Sequence, residues 1–185
     1  MIITIAGPPG SGKDTVARNL AKKLNYVVVS IGNIKREAAK SKGMTIEQFN
    51  SWSKVNPKEG DIYFDDFIKS YGVKNDNFIM VARLGWYLIP SSKKIFLNVD
   101  SKIGAERIFK QKQNLNERKN SEHQVHSIEE QENLNQDRID NERERFLKLY
   151  GADPYSLSNY DLIIDSSNSD INKIIRLILE DLSTN

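Results

Sequence analysis

An α/β architecture of three layers, with helices on both faces of a five-stranded parallel sheet, is what this sequence predicts. Two observations carry it. Short apolar, β-branched runs alternate with longer amphipathic stretches along the chain. The runs are apolar on both faces, as in parallel strands covered on each side. A third observation places the site: the first run ends in the glycine-rich turn "GPPGSGK" and leads into a helix. Such a turn lies at the carboxyl end of a strand, where open α/β sheets bind ligands.

The elements follow in order. "IITIA" (2–6) reads as the first strand, and residues 13–24 as a helix with Val16, Leu20 and Leu24 on one face. "YVVVS" (26–30) is the second strand, followed by a helix from "IGNIKREAAKSK". "TIEQFNSWSK" (45–54) predicts a helix capped by Thr45, with Gln48 closing a capping box. A further short helix is expected over 60–71. Strands are expected at "NFIMVA" (77–82), "KIFLNV" (94–99) and "DLIID" (161–165), and "INKIIRLILEDL" closes the chain as a helix. Right-handed crossovers between parallel strands complete the three layers.

One segment departs in composition. Residues 110–145 are rich in Gln, Asn, Glu, Lys and Arg, with only isolated apolar residues. They fit a solvated helical hairpin or partly disordered insert, and equally a helical lid over an active site, with Arg118, Arg138, Arg143 and Arg145 placed to reach phosphates.

Bulk composition sets limits. The chain of 185 residues fits one domain and can bury roughly 70% of its unfolded surface. Lys plus Arg number 27 and Asp plus Glu 25, a net charge of +2 that argues against nucleic acid or an anionic membrane as main partner. There is no cysteine, which excludes disulfides and thiolate chemistry. The opening run "MIITIA" is too short for a signal or a span, so a cytoplasmic protein without membrane contact is expected. His123 and His126 lack further ligands at useful spacing and are expected on the surface.

The turn itself is chemically specific. Gly7, four intervening residues, Gly12 and Lys13 let successive backbone N–H groups point inward at phosphate oxygens. The following helix N-terminus adds partial positive charge, and Lys13 can bridge the terminal phosphates. Gly7, Pro8, Pro9, Gly10, Ser11, Gly12, Lys13, Asp14 and Thr15 are therefore expected to hold a nucleoside triphosphate. Asp14 stands where this pattern has Ser or Thr.

Further segments bear a family resemblance. "SIGNIKRE", "ARLGWYLIP", "RIDNERERFLKLYGAD" and "NYDLIIDSS" are similar, in the same order, to stretches of archaeal-type cytidylate kinases within the P-loop nucleoside monophosphate kinases. The resemblance runs from residue 1 to about 180. It implies a single kinase domain over 1–185, a P-loop fold with a helical lid, ATP and Mg2+ as cofactors, and transfer of the γ-phosphate to CMP or dCMP by a monomer. It also implies residue roles. Arg36 and Arg83 would contact the acceptor, with Ser30 and Gly32 shaping its pocket. Arg107 would lie near the donor nucleotide. Arg138, Glu142 and Arg145, at i, i+4 and i+7 on one helix face, would bind acceptor sugar, base or phosphates. Lys13, Arg138 and Arg145 would carry the transfer, where alignment and charge neutralisation suffice.

The sequence departs from these relatives twice. Asp14 is one departure. The other is Val81, where relatives usually carry an acid that helps hold magnesium. Asp14 as a replacement metal ligand, Asp14 as a helix cap facing water, and loss of catalysis are the three readings of this pair. Another acceptor (UMP, AMP or a deoxynucleotide) and a non-catalytic nucleotide-binding regulator remain alternatives to the cytidylate reading.

Overall fold

A computed structural model describes residues 1–114 and 125–184. Five strands, β1 (Ile2–Ala6), β2 (Val27–Ser30), β3 (Phe78–Val81), β4 (Lys93–Asn98) and β5 (Leu162–Asp165), form one sheet in the order β2-β3-β1-β4-β5. Every neighbouring pair is parallel, with Ile3 opposite Ile79 on one side and Lys93 on the other. After β1 the chain runs outward to β2, whereas β4 lies on the opposite flank of β1. The strand order thus reverses at the end of β1, which is where the glycine-rich turn leaves the sheet.

The double-sided apolar character resolves into two cores by the period of two along each strand. In β3, Ile79 and Val81 face one layer while Phe78 and Met80 face the other. The first layer holds Val16, Ala17 and Leu20 of α1 (Lys13–Leu24) with Ile174, Ile175 and Ile178 of the closing helix α8 (Ile171–Thr184). The second layer is built by α2 (Ile31–Ser41), α3 (Ile46–Val55), α4 (Asp61–Lys74) and α5 (Gly85–Leu88), with Phe49, Phe64, Ile68 and Leu88 in its centre. Thr45 Oγ1 accepts from Gln48 N at 3.2 Å and Gln48 Oε1 accepts from Thr45 N at 2.8 Å, the expected capping box.

Among the described residues two further long helices, α6 (Ser101–Asn114) and α7 (Ile128–Tyr150), lie between β4 and β5 and pack along each other. Their bounds enclose the polar 110–145 segment rather than coincide with it. The buried side chains along this pair include Lys112, Gln131 and Asn135, and Gln131 Nε2 donates to Asn135 Oδ1 at 2.9 Å. A polar seam explains why the segment shows no apolar stripe. Arg118 and His123 lie outside the described residues; His126 is exposed. Among the described residues no helix is long and apolar enough to cross a membrane.

The phosphate-type loop is shaped from outside as well as by its own glycines. Gly10 and Gly12 adopt left-handed φ of 79° and 78°. A Cβ on Gly10 would stand 2.2 Å from the carbonyl oxygen of Gly104 in α6, whereas one on Gly12 would meet nothing within 4 Å. Gly12→Ala should therefore lower stability by about 1 kcal/mol, the conformational term alone. Gly10→Ala should cost clearly more, because backbone would have to move. Urea unfolding of the two variants compares them directly; equal losses would mean that the contact with Gly104 does not shape the loop.

Candidate active site

Side chains of α1, β2, α2 and α7 and of the loops after β1, β3 and α7 converge beyond the carboxyl ends of β1, β2 and β3. Lys13 opens α1 and its Nζ donates to Pro8 O at 3.2 Å, folding back over the loop. Burial, and then the neighbouring Arg83, hold its ammonium pKa well below the ordinary lysine range, with Asp14 and Glu142 opposing. A lysine in that state gains from an arriving anion. Ser11 lies beneath the loop, 1% exposed, with its Oγ buried and unpartnered.

Arg83, just after β3, donates from Nε to Glu142 Oε2 at 2.6 Å and from Nη1 to Gly7 O at 2.6 Å. Glu142 Oε1 accepts from Arg138 Nε at 3.0 Å, and Oε2 also accepts from Tyr155 Oη at 2.5 Å. Burial alone would raise the Glu142 pKa; Arg83, then Arg138 and the Tyr155 hydroxyl, outweigh it and hold the carboxyl well below its usual range. The same pairing keeps Arg83 more firmly protonated than an ordinary arginine despite its burial. Both Glu142 oxygens are thus engaged inside the protein, which makes it the holder of two arginines.

Asp14 turns towards β2. Its Oδ1 accepts from Ser30 Oγ at 2.7 Å, and the same hydroxyl accepts from Asn33 N at 3.3 Å to cap α2. The cap of α1 is Gly12, so Asp14 is not the helix cap. Burial disfavours its charge, but Lys13, Ser30 and Arg36 together hold its pKa below the ordinary value. Arg36 donates to Asn33 Oδ1 and lies beside Gly32. Thr15 Oγ1 accepts from Arg18 at 3.4 Å.

Two expected residues make their contacts outside this cluster. Arg107, on α6, donates to Ser166 O at 2.8 Å and Ser167 O at 3.0 Å and reaches Gly10 O at 3.4 Å. It ties the loop to the turn after β5. Arg145 shares the inward face of α7 with Arg138 and Glu142 but pairs with Asp61, its Nη1 3.3 Å from Oδ2. Lys35 meets the other oxygen of Asp61 at 2.8 Å. Arg143 bonds Asp153 at 3.1 Å and stacks over Tyr155. Phe49 is core, and Trp52 and Trp86 pack against the core as partly buried walls. Tyr155, Gly104, Asn33, Lys35 and Asp61 are additions to the sequence reading; Asn33 and Lys35 lie within "SIGNIKRE" and Tyr155 two residues past "YGAD", whereas Gly104 and Asp61 had no local signal.

This sheet order, with the loop after its central strand and a helix receiving it, defines a P-loop kinase fold. The model of the cytidylate kinase-like family matches residues 2–168, and the chain belongs to that family. Over 181 residues it is 33% identical to a protein of Archaeoglobus fulgidus named cytidylate kinase, covering 97% of this chain and 93% of the other. A cytidylate kinase of Thermoplasma acidophilum is 37% identical over 170 residues, covering 90% and 84%. Among solved structures, an uncharacterized protein of Eubacterium ventriosum superposes with a TM-score of 0.66 at 18% identity, covering 100% and 99%. The shikimate kinase of Bacteroides thetaiotaomicron gives 0.63 at 15% identity, covering 99% and 98%. At such identities the structures share the fold.

Glu142→Gln leaves two arginines facing a neutral amide and should cost about 3–5 kcal/mol at neutral pH. The depressed pKa of Glu142 fixes the sign of the acid limb. Its stabilisation is present above the unfolded value of about 4.3 and is lost as pH falls through the folded value. Chemical denaturation against pH should show a steeper acid loss in the wild type than in the variant. Parallel curves would remove Glu142 from that role.

Proposed function

We propose that the protein transfers the γ-phosphate of ATP to CMP or dCMP, giving ADP and CDP or dCDP. The observation that carries this reading is the meeting of the glycine loop and Lys13 with a pair of arginines, Arg83 and Arg138, held by one buried carboxylate. The family of the chain and the names of its relatives support the acceptor base.

In this reading the loop N–H groups of residues 10–13 and the Lys13 ammonium grip the β- and γ-phosphates. An oxygen of the acceptor monophosphate attacks the γ-phosphorus and the β–γ bridging oxygen leaves with ADP. The attacking oxygen is already ionised, so no strong base is needed, and no residue of the cluster has to take up a proton. Arg83 and Arg138 meet the charge of the moving group through planar donors. Arg36, Ser30 and Gly32 serve the acceptor side, and Arg107 fixes the donor side through the loop. The outer parts of α6 and α7 belong to the lid that excludes water; residues 115–124 of the 110–145 segment lie outside the described residues. The enzyme works as a monomer in the cytoplasm.

The residues fit a magnesium ion of the kind that stays largely hydrated and takes few protein ligands. Asp14 is an ionised oxygen donor beside Lys13, braced by Ser30. Val81 is 3% exposed within the core shared with Ile5 and Val16, so its position supplies no ligand. Among the described residues there is no group of three or more ligating side chains, as suits Mg2+ rather than a closed metal cage. Bound there, the ion would neutralise charge on the β- and γ-phosphate oxygens.

A coupled ADP-release assay with MgATP and CMP, dCMP, UMP, AMP and GMP tests the reading. Turnover is expected with CMP and dCMP, and a loss of roughly 100-fold or more in Lys13→Ala. Another preferred acceptor would replace the substrate; silence with ATP still bound would point to a nucleotide-binding regulator. For Asp14, calorimetry of Asp14→Ser should show a smaller preference for MgATP over metal-free ATP than wild type. An unchanged preference would remove Asp14 from the metal site.

A further inference from the structure

Outside the phosphate-side cluster, Asp61 is a buried charged group with no part in the reading above. Asp61, the first residue of α4, is 2% exposed. Its two oxygens collect cations from two other helices, Lys35 of α2 at 2.8 Å and Arg145 of α7 at 3.3 Å. A buried ion cluster of this kind contributes little to stability compared with apolar packing of the same volume. What it fixes is where the cations stand. Arg145 is the informative partner. Asp61 holds one edge of its guanidinium and the Phe146 ring lies 4.7 Å beneath its centre, so both its position and its plane are set. Its Nε is nevertheless buried and meets no acceptor. A guanidinium offers five N–H donors, and an unmet buried donor is a cost the fold otherwise avoids. Arg145 also lies two turns from Arg138 on the same face of α7, roughly 10.5 Å along the axis. Lys35 is the neighbour of Arg36, on the helix capped by Ser30.

We propose that Asp61 is a positioning residue of the acceptor site: it holds Arg145 at a fixed place and plane, with Lys35 on its other oxygen, so that the free donors of Arg145 meet an acceptor oxygen of the incoming nucleotide. Asp61 touches no substrate and acts through Arg145. The proposal rests on the reading that the protein phosphorylates a nucleoside monophosphate. The wild-type acceptor panel tests that reading by itself, and only the ratio of variant to wild type, on the acceptor the wild type prefers, tests Asp61.

Asp61→Glu keeps the charge and displaces Arg145 by about one methylene length. It should raise the acceptor KM about tenfold, the scale of a weakened charge-assisted hydrogen bond, with the ATP KM within twofold of wild type. Asp61→Asn with Lys35→Met removes one charge of each sign; it should recover the thermal midpoint lost in Asp61→Asn alone while its acceptor KM stays raised. Tyr150→Phe is the control, because Tyr150 Oη bonds Asp65 Oδ2 at 2.6 Å and so ties α4 to α7 through a carboxylate other than Asp61. Its acceptor KM should be unchanged. Acceptor KM values within twofold of wild type in Asp61→Glu, or a rise in Tyr150→Phe matching that of the Asp61 variants, would overturn the proposal and leave Asp61 a structural tether. If the double variant does not fold, Asp61→Glu decides alone.

Discussion

The Arg83–Glu142 pair fixes more of this molecule than any other side-chain contact. At 2.6 Å it joins the end of β3 to the middle of α7, while the same guanidinium binds Gly7 O in the loop. Three separate parts of the chain are thus set by one planar fork, whose directional donors tolerate little sliding. Removing a carboxylate and a guanidinium from water is costly, and the attraction between them offsets this only with near-ideal geometry and satisfied remaining lone pairs. Here Arg138 and Tyr155 supply those further bonds. The consequence for dynamics is spatial. From Arg138 onward α7 is bound to the sheet side, so any large movement belongs to its earlier turns and to the polar seam with α6.

A second constraint comes from absence of volume. Gly10 and Gly104 approach so closely that a Cβ on Gly104 would stand 2.9 Å from Pro9 O. The loop and the first turn of α6 therefore share one surface, and Arg107, one turn on, binds Gly10 O and the turn after β5. The loop proposed to hold phosphate is in this way in direct backbone contact with α6, so a shift of the loop backbone bears on α6 without any relay of side chains.

What could be read from the sequence was local. Five strands, the capping box at Thr45 and the glycine loop all depend on periods and spacings of a few residues, and they stand within one or two residues of expectation. The spacing of Arg138, Glu142 and Arg145 gave their common face. It could not give their partners, because Arg83 and Asp61 lie 59 and 84 positions away and no short-range pattern links them. Gly104 was illegible for the same reason: its value lies in what approaches it. The α6–α7 pair hid its helices behind polar contacts such as Gln131 with Asn135, which remove the apolar stripe that periodicity detects. The short α5 follows a single turn, below the length at which any stripe repeats.

The carboxylate at position 14 is compatible with an anion site because of what surrounds it. Lys13, Arg36, Arg83 and Arg138 stand against Asp14 and Glu142, and Glu142 is already taken up by two of the cations. Asp14 thus moderates a surplus of positive charge. Its direction matters as much as its charge. The Ser30 hydroxyl holds Oδ1 against the end of β2. A triphosphate alone would meet repulsion from that side, whereas a triphosphate carrying a divalent cation would present positive charge to it. Burial sharpens this difference, since charges in a partly desolvated cleft interact more strongly than in water. A hydroxyl in place of Asp14 could ligate a metal but would carry no charge with which to discriminate in this way, which is the physical basis of the role proposed for Asp14 at the loop.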